Sequence, residues 1–282
     1  MRVLCGSSSK SLASDLAQEI GVECVQATIK RFPDGEAYVR IEKERLDYEI
    51  AIVQNCYPDS SLVELLLLID AARGLGAEKI TCVVPYFGYA RQDRRFNPGE
   101  ALSAKVILKH LEMEADRLIT IDLHKRDILK WFERETAIDL SAAPAIARFF
   151  SDSGIDLVLA PDSGAAQRAE DVGTLLGADW DHLIKTRLSG TEVKITPSQV
   201  DAKGKAVLIV DDIISTGGTI VAATNELKRL GARNVTAACT HGLFIGGALE
   251  RLKKTCDRVV SSNTLESEVS KISVAEEIAK VL

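Results

Sequence analysis

The chain has 282 residues, 46% hydrophobic and 27% charged, a soluble globular composition long enough for two domains of ordinary size. Lys and Arg number 35 against 41 Asp and Glu, so the formal net charge of −6 argues against a nucleic-acid surface and leaves local basic clusters to hold anionic substrates. No apolar run reaches the length of a membrane span, no signal peptide precedes the first strand-like run, and the six cysteines show no C-x-x-C pair, so a cytoplasmic chain with reduced core thiols and no membrane partner is expected.

Short β-branched runs predict strands at 2–6 and 24–30 around a helix at 10–20. RFPDGEAYVRIE (31–42) then joins turn chemistry at Pro33, Asp34 and Gly35 to alternating apolar and polar residues, a projecting hairpin that presents Phe32 and Glu36. A strand at 49–55, a helix at 61–73 and a strand at 78–84 continue a β–α alternation that implies parallel sheets. PYFGYARQDRRFNPGE (85–100) lacks apolar periodicity and reads as a loop, in which Arg91 and Gln92 offer donors for phosphate and purine edges and Arg94 and Arg95 strengthen the positive field. After a helix at 101–111, the strand 117–122 ends in Asp-Leu-His, placing His124 where α/β proteins hold ligands.

The pattern restarts near 141–144, which puts domain boundaries at 1–142 and 143–282. A helix at 145–151 and a strand at 155–160 lead to PDSG, whose Asp162 stands just past its strand as His124 does. Aligning VVPYFGYARQ (83–92) with VLAPDSGAAQ (158–167) matches Pro85, Gly88 and Ala90 to Pro161, Gly164 and Ala166, which suggests a duplicated domain; coincidence among common loop residues is the alternative. HLIKTRL (182–188) sets Lys185 and Arg187 on one face if extended, and the polar run up to Gly204 reads as a mobile active-site loop rather than a core element. VLIVDDIISTGGT (207–219) then joins a buried strand ending near 210 to Asp211 and Asp212 and to a Ser/Thr/Gly turn opening a helix at 220–231. Ser215, Thr216, Gly217, Gly218 and Thr219 at a helix N-terminus form a cradle for a phosphate monoester, and the carboxylates beside it can accept from vicinal hydroxyls or reach a hydrated magnesium ion. A strand at 234–239 follows, and the last helix, about 273–282, opens on the capping pattern Ser273-Val-Ala-Glu276 and is expected to pack back on the first domain.

FPDGE, YARQDRR, DLH, PDSG, K-T-R and DDIISTGGT occur in the order found in ribose-phosphate diphosphokinases, and the chain resembles the archaeal branch of that family over nearly its whole length. The departures are Ala165, where PD-x-GG is commoner, and Ser215, where many relatives carry an acid, so a base role at 215 is not expected. The resemblance implies two tandem type I phosphoribosyltransferase-type α/β domains with central, mostly parallel sheets and an active site between them, and transfer of the β,γ-diphosphoryl group of ATP to the 1-hydroxyl of ribose 5-phosphate. It further implies ATP held by Phe32, Asp34, Gly35, Glu36, Arg91 and Gln92, Mg2+ served by His124 and Asp162, and catalysis by Lys185 and Arg187. Ribose 5-phosphate would be held by Arg187, Asp211, Asp212, Ser215, Thr216, Gly217, Gly218 and Thr219, within a homo-oligomer. An ordinary phosphoribosyltransferase and a catalytically silent regulatory paralogue are the rival readings.

Overall fold

The computed structural model describes residues 1–187, 193–197 and 201–282, with the backbone alone over 184–187 and 193–197. These residues form two units: Met1–Ser141 with Thr264–Glu266 and Ser273–Leu282, and Ala142–Asn263 with Ser267–Ile272.

The first unit is built from β1 (Arg2–Cys5), α1 (Lys10–Glu19), β2 (Cys24–Arg31), β3 (Ala37–Ile41), β4 (Glu49–Val53), α2 (Asp59–Gly74), β5 (Lys79–Val84), α3 (Ser103–Glu112), β6 (Arg117–Ile121) and β7 (Thr136–Leu140). Its seven strands lie in the order β3-β2-β1-β4-β5-β6-β7, parallel except for the β2–β3 hairpin. Four of the five residues of β4 and five of the six of β5 are buried, because helices cover both faces of a parallel sheet and leave no face for polar alternation. Leu65, Leu68 and Ile69 of α2 and Leu108 and Leu111 of α3 pack with Ile50, Ile52, Ile80 and Leu118 into one core.

The second unit contains α4 (Ala143–Phe150), β8 (Leu157–Ala160), α5 (Ala166–Leu176), β9 (Asp179–Arg187), β10 (Val193–Pro197), β11 (Ala206–Ile214), α6 (Gly218–Arg229), β12 (Asn234–Gly242), α7 (Ala248–Thr255), β13 (Arg258–Ser262) and β14 (Ser270–Ile272). The order β10-β9-β8-β11-β12-β13-β14, again with one antiparallel hairpin, repeats that of the first sheet strand for strand. The last helix, α8 (Ala275–Ala279), belongs to the first unit, where Ser273 Oγ donates to Asp15 of α1 at 2.8 Å.

Several sequence expectations change. The repeat is in the topology but not in the register read from the sequence: strand order equates β8 with β1 and β12 with β5, so 83–92 and 158–167 are not equivalent stretches. Both merely follow a parallel strand, where Pro, Gly and Ala recur in turns. The strand expected to stop near 210 runs on to Ile214, because β12 keeps pairing as far as Ile214↔Gly242, so both aspartates lie within β11. The run up to Gly204 includes β10, paired along β9, and Ala202, buried in the core of the second unit; 188–192 and 198–200 lie outside the described residues. Val274, not Ser273, occupies the N-cap position of α8. The loop after β5 is anchored, with Tyr86, Phe87 and Ala90 buried before the chain turns outward at Arg91. All six cysteines are free thiols, and burial raises Cys5 and Cys82 to about 12, which keeps them protonated and inert. Among the described residues no helix is long and apolar enough to cross a membrane.

Candidate active site

In the second unit the chain leaves β8 toward β9 on one side of the sheet and leaves β11 toward β12 on the other, so a crevice opens between the carboxyl ends of β8 and β11. PDSG follows β8 and the Ser/Thr/Gly turn follows β11, which brings Asp162 to the same sheet edge as Asp211, Asp212 and the cradle. Asp162 caps its own turn by accepting from the Gly164 N–H at 2.9 Å. Burial, then the charge of Asp212, pushes the Asp211 carboxyl well above the usual range, partly offset by the Arg168 guanidinium of α5.

Gly217 sits at φ 72, a left-handed conformation that redirects the chain from strand to helix, and its carbonyl accepts from the Val221 N–H at 3.0 Å as α6 begins. A Cβ at Gly217 would lie 3.1 Å from a Leu252 methyl, whereas one at Gly218 would meet no heavy atom within 4 Å. The N-terminus of α6 therefore lies beside the half-buried acid pair of β11, with room at Gly218 for a ligand to approach the backbone, an arrangement suited to a phosphate on a polyol. On β9 of the same unit, Lys185 and Arg187 are registered opposite Ile195 and Val193 of β10.

The first unit carries the other predicted groups. Its hairpin is tied by the Phe32 N–H to the Glu36 carbonyl at 2.9 Å, the Gly35 N–H to the Phe32 carbonyl at 2.8 Å and the Glu36 N–H to Asp34 Oδ1 at 3.0 Å. One Asp34 oxygen is thus engaged in shaping the turn, while Phe32, 49% exposed, stands edge-on to Tyr38 with ring centres 5.7 Å apart. The arginine loop is organised around Glu100, which sequence reasoning did not single out. Its carboxylate accepts from the Phe96 N–H at 2.7 Å, Asn97 Nδ2 at 2.5 Å and Gln92 Nε2 at 3.3 Å, and the Asn97 and Phe96 donors hold it below the usual range. Gln92 Nε2 also donates to the Arg94 carbonyl at 3.1 Å, so the amide nitrogen expected on a purine edge is engaged inside its own loop, and Arg91 is exposed.

His124 is exposed at the end of a turn in which Asp122 has φ 43. That turn is held by Asp139 of β7, whose carboxylate accepts from the Leu123 N–H at 2.9 Å, Thr120 Oγ1 at 3.1 Å and Arg126 Nε at 2.7 Å. Asp139 also escaped the sequence reading; an acid in the alternating TAIDL looks like any strand polar residue, and only the β6–β7 pairing sets it against the turn. At the crevice of the first unit, between β1 and β4, Glu64 instead accepts from the Ser7 N–H at 2.7 Å, Ser7 Oγ at 2.6 Å and Gln54 Nε2 at 2.8 Å. A carboxylate of the chain itself engages these donors.

A family profile for the N-terminal domain of ribose phosphate pyrophosphokinase matches residues 1–114, and one for the phosphoribosyl transferase domain matches residues 133–277. Ribose-phosphate pyrophosphokinase of Pyrococcus furiosus is 44% identical over 99% of the chain and 100% of its own length. The enzyme of that name from Thermococcus kodakarensis is 43% identical over 99% of both. The crystal structure of phosphoribosylpyrophosphate synthetase from Mycobacterium smegmatis superposes with a TM-score of 0.83 at 29% identity, covering 99% of this chain and 96% of that one.

Proposed function

The chain belongs to the ribose-phosphate pyrophosphokinase family, and from that premise we propose how its residues divide the work of joining the β,γ-diphosphoryl group of ATP to the 1-hydroxyl of ribose 5-phosphate. The observation that carries the assignment is the α6 N-terminus, with open space at Gly218, beside the half-buried acid pair of β11. Ser215, Thr216, Gly217, Gly218 and Thr219 take the 5-phosphate, and Asp211 with Asp212 accepts from the ribose hydroxyls. An acid that burial makes costly to ionise gains most from such donors. Phe32 stacks on the adenine, Asp34, Gly35 and Glu36 bound it, and Arg91 and Gln92 take its phosphates and edge. Gln92 exchanges a loop hydrogen bond for one to nucleotide.

The attacking 1-hydroxyl meets the β-phosphorus and AMP leaves, through a loose, highly anionic transition state that calls for positioning and cations more than covalent chemistry. Lys185 and Arg187 supply the cations. Among the described residues no three His, Cys, Asp or Glu side chains cluster as an ion site, but a hard cation that keeps several waters needs only one or two carboxylates plus phosphate oxygens, and the carboxyl ends of β8 and β11 carry Asp162 and the acid pair. Asp162 on the second unit and His124 on the first are the residues proposed to serve magnesium, which when bound would neutralise phosphate charge. A cytoplasmic homo-oligomer completes the proposal.

Incubation with ATP and ribose 5-phosphate tests the reading, with AMP and 5-phosphoribosyl 1-diphosphate as expected products. Consumption of the diphosphate product together with a nucleobase would instead mark a phosphoribosyltransferase, and inactivity relieved only by a partner subunit a regulatory paralogue.

A further inference from the structure

The geometry points to Arg251, on the exposed face of α7, as the residue that positions the phosphate cradle. One guanidinium nitrogen donates to the Thr216 carbonyl at 3.0 Å and the other to the Gly246 carbonyl at 2.6 Å. The fork thereby ties the cradle to a second glycine turn, Gly246 at φ 61 and Gly247 at φ 71, which opens α7. Its consequence lies in the peptide plane. In a trans peptide the carbonyl and the following N–H point in opposite directions, so fixing the Thr216 carbonyl toward Arg251 fixes the Gly217 N–H away from it. Gly217, free of a Cβ and already at φ 72, has little intrinsic resistance to a flip of that plane, and a flipped carbonyl would repel an anion that the N–H attracts. The planar five-donor fork suits two carbonyls at once; an ammonium would hold one and leave the other loose.

This inference rests on the reading that residues 215–219 hold the 5-phosphate, and its test separates the two. Arg251→Met and Arg251→Lys are compared with Gly218→Val for KM of ribose 5-phosphate, KM of ATP, kcat and melting temperature. Arg251 is exposed, so both variants should melt as the wild type does. Arg251→Met is expected to raise the KM for ribose 5-phosphate about tenfold, the scale of one charge-assisted hydrogen bond, with the KM for ATP within twofold. Arg251→Lys is expected to recover less than half of that loss. Full recovery by lysine would reduce the effect to bulk charge and overturn the positioning role, as would an unchanged KM in Arg251→Met while Gly218→Val raises it. An unchanged KM in Gly218→Val would overturn the 5-phosphate reading itself.

Discussion

Burial and the neighbouring Asp212 keep a proton on Asp211 in the folded chain at pH values where the unfolded chain has released it. A carboxyl raised on folding contributes stability in acid that is lost as pH climbs from the ordinary carboxylate range through the raised value. Asp211→Asn should therefore raise the melting temperature of the unliganded chain by on the order of 2–4 °C at pH 8, with the gain vanishing near pH 3, while the KM for ribose 5-phosphate rises. Melting curves across that range decide it; a gain independent of pH would assign the stability to another cause. The two adjacent glycines separate in the same way. Gly218→Val puts its side chain into open space and should raise the KM for ribose 5-phosphate more than that for ATP without lowering the melting temperature. Gly217→Val must adopt a left-handed conformation against Leu252 and should cost about 1–2 kcal/mol or more in folding before any effect on substrate is read.

At the scale of elements, the repeated sheet order makes the hairpin β2–β3 the counterpart of β9–β10. The first bears Phe32, Asp34 and Glu36, the second leads from Lys185 and Arg187, so one structural device appears once with an aromatic and carboxylates and once with cations. Lys185→Ala is expected to lower kcat by roughly 10²–10⁴-fold, the range for losing a strong electrostatic group, with a smaller change in ATP affinity. Steady-state kinetics with direct nucleotide binding check it, and a near-normal kcat would remove Lys185 from the chemistry. The counterpart crevices diverge too: that of the second unit keeps an open helix N-terminus, whereas Glu64 takes up the donors of Ser7 and Gln54 in the first.

For the whole molecule, the prediction is that the proposed homo-oligomer shares its nucleotide site, the Phe32 hairpin of one subunit reaching the ATP of another. Mixing an Asp34→Ala/Glu36→Ala variant with a Lys185→Ala variant should then regenerate intact sites. With random pairing in a dimer, half of the dimers are mixed and each holds one complete site of two, so roughly a quarter of wild-type activity should return. If subunit exchange is demonstrated and the mixture is no more active than its parents, the hairpin serves its own chain.

The chain order of FPDGE, YARQDRR, DLH, PDSG and DDIISTGGT, and the β–α alternation carrying them, were legible in the sequence because apolar period and turn chemistry are local properties. They established the family, the reaction and a tandem α/β architecture. Strand adjacency is not local. That β8 lies beside β11, bringing Asp162 to the edge where the acid pair lies, that β12 carries β11 past Asp211 and Asp212, and that β7 sets Asp139 against the turn before His124 depend on hydrogen bonds between segments far apart in the chain. The same holds for Arg251 and the Thr216 carbonyl, whereas Glu100 meets donors close in sequence, on Gln92, Phe96 and Asn97, in a loop too irregular to carry a period. Sequence period says which residues face a core; only the folded chain decides which carbonyl or N–H a charged side chain meets.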